Sequence, residues 1–313
     1  MPTDREILRT MTFGAYDLQQ LRMQTGLRLC ANFRAKLRPE GQKDLKLDED
    51  DAEAKKILDE LRASYRTLTE GVARNRTLPS EKGFKGDQII GSYAELILVS
   101  QYMDLEKQER QTFSRLESGL DKIPIYTAWL KEQPGIGPAM AAVLISYFNP
   151  HSAPYVSSFW SYAGLDVGAD GFGRSRRENH LIDREYKKKD GTMATKKSVT
   201  YNPWLKARLL GAMGPSFMRV QDTTWRQHYD NYKNRLLSDP NRKKVTLEEF
   251  KKMDKETRWQ EVWSPLRIHQ ASIRYMVKMF LQQFWREWRT IEGLPLTPTY
   301  QEAKLGHQHG EAA

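Results

Sequence analysis

Residues 134–137 read Pro-Gly-Ile-Gly and stand between two apolar segments, 125–132 and 138–148. No other feature constrains the fold as tightly, because a chain punctuated this way makes a helix, a tight turn and a second helix. Pro138 suits the first turn of the second helix, where a missing N–H removes no helical hydrogen bond. Gly135 and Gly137 admit left-handed dihedrals and let backbone approach a ligand closely. Asn149-Pro150 stops the second helix. The stretch 139–148 is also the longest apolar run. It is too short to cross a bilayer, which takes about 20 residues.

Glycine and proline divide the rest into further blocks. In residues 14–38, Leu18, Leu21, Thr25, Leu29, Phe33 and Leu37 recur at three- or four-residue steps, with Arg22, Arg28, Arg34 and Lys36 mostly off that stripe. In residues 50–74 the stripe is Ala54, Ile57, Leu61, Tyr65, Leu68 and Val72, and the acids at 48–51 suit the positive end of a helix dipole. A third helical block covers 87–118. Short joining loops favour antiparallel neighbours. Beyond the glycine turn come a short apolar stretch at 155–165 and two runs of β-forming residues flanking Asp190-Gly191, a β-hairpin signal. Helices are expected over 204–214, 223–237 and 247–253. A long last helix opens at Ser264-Pro265, with the stripe Leu266, Ile273, Val277, Phe280, Phe284 and Trp288. The expected fold is mainly α: an N-terminal helical bundle (1–118), a helix-hairpin-helix domain with a small β-hairpin insertion (119–215), a C-terminal helical region (216–298) and a flexible tail (299–313).

Charge narrows the function classes. The net charge of +10 comes from 50 Lys and Arg against 40 Asp and Glu. Residues 174–208 hold eleven basic against four acidic side chains, so +7 of the excess lies in this one segment. A basic face of this kind suits nucleic-acid phosphate, although a solvated lysine-rich loop has the same composition. The single cysteine, Cys30, excludes an internal disulfide and a cysteine-based zinc cluster. It suits a reducing compartment, and with a polar N-terminus a cytoplasmic location is expected.

Several residues could carry chemistry. The Gly135-Ile136-Gly137 turn presents backbone N–H groups at a helix N-terminus, which can hold a phosphate without reading a base. The same spacing also suits an αα-corner whose glycines only make the turn. Arg174, Arg176, Arg177, Lys187, Lys188, Lys189, Lys196, Lys197, Lys206 and Arg208 would extend a DNA contact. Ser175, flanked by guanidinium groups, could attack a phosphodiester. His180 could be a base, a phosphate contact or a surface histidine. Asp166 and Asp170 could bind metal or make turns, and Asp183 is a third acid to place against Ser175. His307 and His309 lack further ligands nearby in sequence. Trp204, Trp259, Trp263, Trp285 and Trp288 could stack bases, but their helical spacing favours the core. Phosphate-loop, dinucleotide-binding and HExxH motifs are missing.

In order along the chain, Pro134-Gly135-Ile136-Gly137-Pro138-Ala139, Phe159, Tyr162-Ala163-Gly164-Leu165, the basic Gly/Ser segment and Leu205-Lys206-Ala207-Arg208-Leu209-Leu210 form a series. Over roughly residues 123–214 this series resembles the C-terminal helix-hairpin-helix domain of the one-hundred-and-ten group of insertion-sequence transposases, related to the Piv DNA invertase. The resemblance implies a DNA transposase or recombinase of a mobile element or phage. Ser175 would be its nucleophile, and Mg²⁺ its metal if the chain is catalytic. That family's RuvC-like N-terminal domain, the source of its metal-binding acids, is not matched, since residues 1–118 read as helices. The metal ligands are therefore unassigned. DNA is the expected partner, with a guide RNA and self-association left open and no membrane. A non-catalytic nucleic-acid-binding protein that lost the nuclease half is the alternative.

Overall fold

The computed structural model describes residues 3–37, 52–72, 78–221, 223–254 and 262–298. The chain is mainly helical, with one small antiparallel hairpin and a long C-terminal helix, as its periodicity leads one to expect. It divides into two compact units, Met1–Gly119 and Leu120–Ala313.

The first unit contains α1 (Asp4–Leu37), α2 (Ala52–Thr69) and most of α3 (Tyr93–Leu120). Helix α1 starts well ahead of Gly14, and a side chain at Gly14 would meet nothing within 4 Å. A glycine there costs about 1 kcal/mol relative to alanine, and the helix runs through it. The stripe expected on α1 is partly displaced. Leu29 and Phe33 are buried, but Leu21 is 44% exposed, and the inner row includes Leu8, Thr12 and Ala15. Arg22 and Arg34, expected off the stripe, face inward instead. Arg22 pairs with Glu109 of α3, and Arg34 meets Glu53 of α2 at 3.0 Å. Neighbouring carboxylates decide this register, because an arginine stem covers apolar surface while its head finds its charge partner.

Helix α2 buries Ala54, Ile57 and Leu61 as its stripe requires. The acids at 48–51 lie outside the described residues. Helix α3 begins at Tyr93 rather than 87, for a local reason. The Asp87 carboxylate accepts from the Ile89 and Ile90 N–H groups at 2.8 and 2.6 Å, making a turn. Ser92 and Glu95 then cap each other's backbone, both at 3.2 Å.

The second unit opens with α4 (Pro124–Ala128), a 3₁₀ turn (Leu130–Glu132), α5 (Pro138–Tyr147) and α6 (Val156–Tyr162). Strands β1 (Leu181–Lys187) and β2 (Met193–Val199) follow. Next come α7 (Pro203–Arg208), a π-helical turn (Leu209–Met213), α8 (Gly214–Arg219) and α9 (Thr224–Ser238). The two-residue strand β3 (Lys243–Lys244), α10 (Leu247–Lys252), its parallel partner β4 (Val262–Trp263) and α11 (Pro265–Ile291) complete it. The helix expected over 204–214 forms and runs on to Arg219, passing through the π-helical turn with helical backbone at Leu209, Met213 and Gly214.

Helix α5 buries every residue from Ala141 to Ser146. Beside it, Phe148, Phe159, Phe217, Phe280 and Phe284 form an aromatic core. Trp285 and Trp288 belong to this core and are 1% and 2% exposed, so they are not base-stacking residues. The Trp285 indole donates to the Ala153 carbonyl at 2.8 Å. The buried Arg289 guanidinium donates to the carbonyls of Pro150, Ala153 and Pro295 at 2.6, 3.1 and 3.0 Å. Leu266, expected on the inner stripe of α11, is 51% exposed. It sits in the first turn, where Ser264 caps the helix through the Arg267 N–H, and Ile268 takes the inner position. No helix among the described residues is long and apolar enough to cross a membrane.

Candidate functional site

The glycine turn joins α4 and its 3₁₀ extension to α5. Gly135 has φ +87°, and a Cβ there would stand 2.9 Å from the Phe217 ring. Its carbonyl accepts from the Ser216 hydroxyl at 2.8 Å, so Gly135 is packed against α8. Ile136 gives its N–H to the Gln133 carbonyl at 3.1 Å and is 9% exposed. Gly137 caps α5 with φ −88°, and nothing lies within 4 Å of where its Cβ would be. Of the three residues expected to hold a phosphate, Gly137 is the one that stands at the N-terminal end of α5, where helix N–H groups lack intrahelical partners. Gly135→Ala should lose about 2 kcal/mol of stability, from the left-handed backbone and the Phe217 clash. Gly137→Ala should lose well under 1 kcal/mol. Urea unfolding of the two variants measures the difference.

The basic segment builds a cleft of about 260 Å³, lined by Phe172, Arg174, Ser175, Arg177, Lys206, Trp263, Arg267 and Arg274. Ser175 stands in its wall, and behind it runs a relay. The Ser175 Oγ lies 3.2 Å from His180 Nδ1, and His180 Nε2 lies 3.0 Å from Asp170 Oδ2. The Ser175 backbone N–H also donates to His180 Nδ1 at 3.1 Å. A backbone N–H only donates, so Nδ1 is the unprotonated nitrogen and Nε2 carries the proton toward Asp170. His180 is 3% exposed and is not a surface histidine. Asp170 is held down at about 2 by the Phe172 N–H and by its bonds from His180 and Asn179, so it is a carboxylate at any ordinary pH. Gly168 makes room for this pair, since a Cβ there would stand 2.8 Å from His180 Nε2.

Cations crowd the same cleft. Arg174 pairs with Asp166 at 2.8 Å, and the Lys206 ammonium donates to the Arg174 carbonyl. The Arg274 guanidinium lies flat against Gly173, where a Cβ would meet it at 2.2 Å, and its buried Nε has no hydrogen-bond partner among the described residues. Burial lowers the pKa of Arg274 and Lys278. Burial and then the charge of Arg274 bring Lys206 down to about 8, against a smaller upward pull from Asp166. A row of stacked groups continues along the rim. The Arg177 guanidinium stands 4.3 Å from the Phe172 ring centre and Arg267 4.9 Å from it; Arg267 and Arg242 lie 4.3 and 4.1 Å from Trp263. Arg267 has its pKa lowered by burial and then by Arg177 and Arg242.

Lys206 loses its proton near pH 8 in the free protein, and a bound anion needs that charge. Affinity of the cleft for sulfate, which does not titrate here, should therefore fall as pH rises through about 8. Lys206→Arg should flatten this decline in a calorimetric titration.

The structure brings Arg174, Ser175, Arg177 and Lys206 together. Arg176 is exposed beside them, and Arg208 stacks on Trp204 at 5.1 Å. Lys187, Lys188, Lys189, Lys196 and Lys197 lie on the exposed β-hairpin and its loop. Of the three acids, Asp170 reaches Ser175 only through His180, Asp166 is tied to Arg174, and Asp183 sits opposite Lys197 on the hairpin. Among the described residues no group of three or more His, Cys, Asp or Glu could hold a metal ion. His307, His309 and Trp259 lie outside the described residues. The sequence reading missed Phe172, Arg242, Arg267, Arg274 and Lys278. A signal existed: Arg267, Arg274 and Lys278 stand at helical spacing, beside the apolar stripe of α11.

Fold and site together define a mainly helical chain whose second unit sets a serine, backed by histidine and aspartate, in a cationic cleft. Comparison with protein-family models, with curated proteins and with solved structures finds no match.

Proposed function

We propose that the chain binds DNA in the manner of a transposase or recombinase of mobile-element or phage origin, with a backbone phosphate seated at Ser175. The observation that carries this reading is the Ser175–His180–Asp170 relay facing a wall of Arg174, Arg177, Lys206, Arg267 and Arg274. Arg274 adds a largely buried guanidinium to the cleft lining, a charge that a phosphate oxygen would offset. The stacked arginines on Phe172 and Trp263 would carry the strand beyond the reacting phosphate.

In this reading the Ser175 hydroxyl gives its proton to His180 Nδ1 as Oγ attacks phosphorus. The P–Oγ bond forms while the bond from phosphorus to the departing strand's oxygen breaks, and the cations offset the charge that builds on the phosphoryl oxygens. The departing oxygen needs a proton from the far side of phosphorus. Lys206, held near 8, is the cleft residue suited to give it. Asp170 keeps His180 in the tautomer that accepts.

Binding without cleavage is the second reading, favoured by the Ser175 backbone N–H, which donates to His180 Nδ1 at 3.1 Å and competes with the hydroxyl for that lone pair. End-labelled duplex DNA, incubated with the protein with and without Mg²⁺ and then denatured, separates the two. Label bound covalently to protein supports the nucleophile. Salt-sensitive binding with neither adduct nor strand cleavage leaves the binding reading, and absence of binding overturns both.

A further inference from the structure

The β1–β2 hairpin buries none of its residues. A lone two-stranded ribbon is marginal in water, so this one has a surface to offer rather than a core to build. Its register sorts the side chains by face. Leu181 pairs with Val199, Asp183 with Lys197, Glu185 with Thr195 and Lys187 with Met193 on one face. That face is balanced, two acids against two lysines, and Lys197 is further tied to Glu178.

The other face differs. Ile182 pairs with Ser198, Arg184 with Lys196 and Tyr186 with Ala194, so it has two cations and no acid. Arg184 and Lys196 stand directly opposite one another, an arrangement that destabilises a free ribbon and that an anion would relieve. The Lys196 ammonium lies 5.0 Å over the Tyr186 ring, and Ile182 and Tyr186 are 46% and 39% exposed. At the tip, Lys188 and Lys189 are exposed, while Asp190 is turned back onto Thr192 at 2.9 and 2.7 Å.

We propose that this ribbon lies in the major groove of duplex DNA with the Ile182–Arg184–Tyr186–Lys196 face toward the DNA. Seven-residue strands extend about 23 Å at ~3.3 Å per residue. A groove about 12 Å wide admits a two-stranded ribbon. The inference rests on the DNA-binding reading above but is separable from it, because the cleft can hold a phosphate without the ribbon.

The test uses neighbouring lysines on opposite faces, in the full chain, with a duplex of about 30 base pairs, three helical turns. Lys196→Gln and Lys197→Gln remove the same charge. Lys196→Gln, and likewise Arg184→Gln, should weaken binding about five- to tenfold at low salt and reduce the salt slope by about 0.9. Lys197→Gln should change it less than about twofold. Equal effects of the two lysine variants, or no effect of either while the wild-type chain binds DNA, would overturn the ribbon and leave the cleft reading standing. So would a Lys196→Gln variant that alters self-association in sedimentation but not DNA affinity. A wild-type chain that binds no duplex overturns both.

Discussion

Ser175→Ala should abolish the covalent protein–DNA adduct while leaving non-covalent DNA affinity within about threefold. The change removes one oxygen and leaves the cationic wall of Arg174, Arg177, Lys206, Arg267 and Arg274 intact. In the proposed reading, binding would rest on that wall and adduct formation on the oxygen. His180→Gln removes the base behind it and should slow adduct formation by about 10²–10⁴. Asp170→Asn should slow it less, because the carboxylate orients the ring through Nε2 without touching the reacting atoms. Rates of label transfer to protein on denaturing gels rank the three variants. An adduct that persists undiminished in Ser175→Ala would show that another side chain is the nucleophile.

Phe284→Ala should cost about 3–5 kcal/mol. The ring is fully buried, 5.1 Å from the Trp288 centroid, 6.1 Å from those of Trp129 and Phe159, and 6.2 Å from those of Phe148 and Phe280. Truncation leaves a cavity among large planar groups that cannot collapse into it. At roughly 2–4 °C per kcal/mol for a unit of this size, the melting temperature of the second unit should drop by about 10 °C. Leu266→Ala on the same helix, at an exposed first-turn position, should stay within about 0.5 kcal/mol. Calorimetry of both variants measures the contrast, and a loss under about 1 kcal/mol for Phe284→Ala would contradict the packing.

Much of the fold was legible because it rests on local signals. Ile57 and Leu61 on α2, Asp190-Gly191 at the hairpin turn and the Ser264-Pro265 start of α11 each announce their element within a few residues. The misses share another cause. Arg22 and Arg34 face inward because Glu109 and Glu53 come from other helices. Leu21 and Leu266 are exposed because burial depends on which surface arrives opposite them, and that surface comes from remote chain. The same holds at the cleft. Ser175, its flanking arginines and Lys206 were visible as a basic run, but Arg267 and Arg274, which complete the wall, come from α11, far along the chain.

By itself the sequence determined which segments are helical, where the β-hairpin turns and where positive charge concentrates, since backbone propensity, proline and glycine act over a few residues. The tertiary structure alone decided which charges matter. It turned His180 from a neighbour in a loop into the buried link between Ser175 and Asp170. It packed Gly135 against Phe217 and left Gly137 open. It also set Lys196 and Lys197, adjacent in sequence, on opposite faces of one ribbon. Distance and burial control charge interactions, and both are properties of the folded chain.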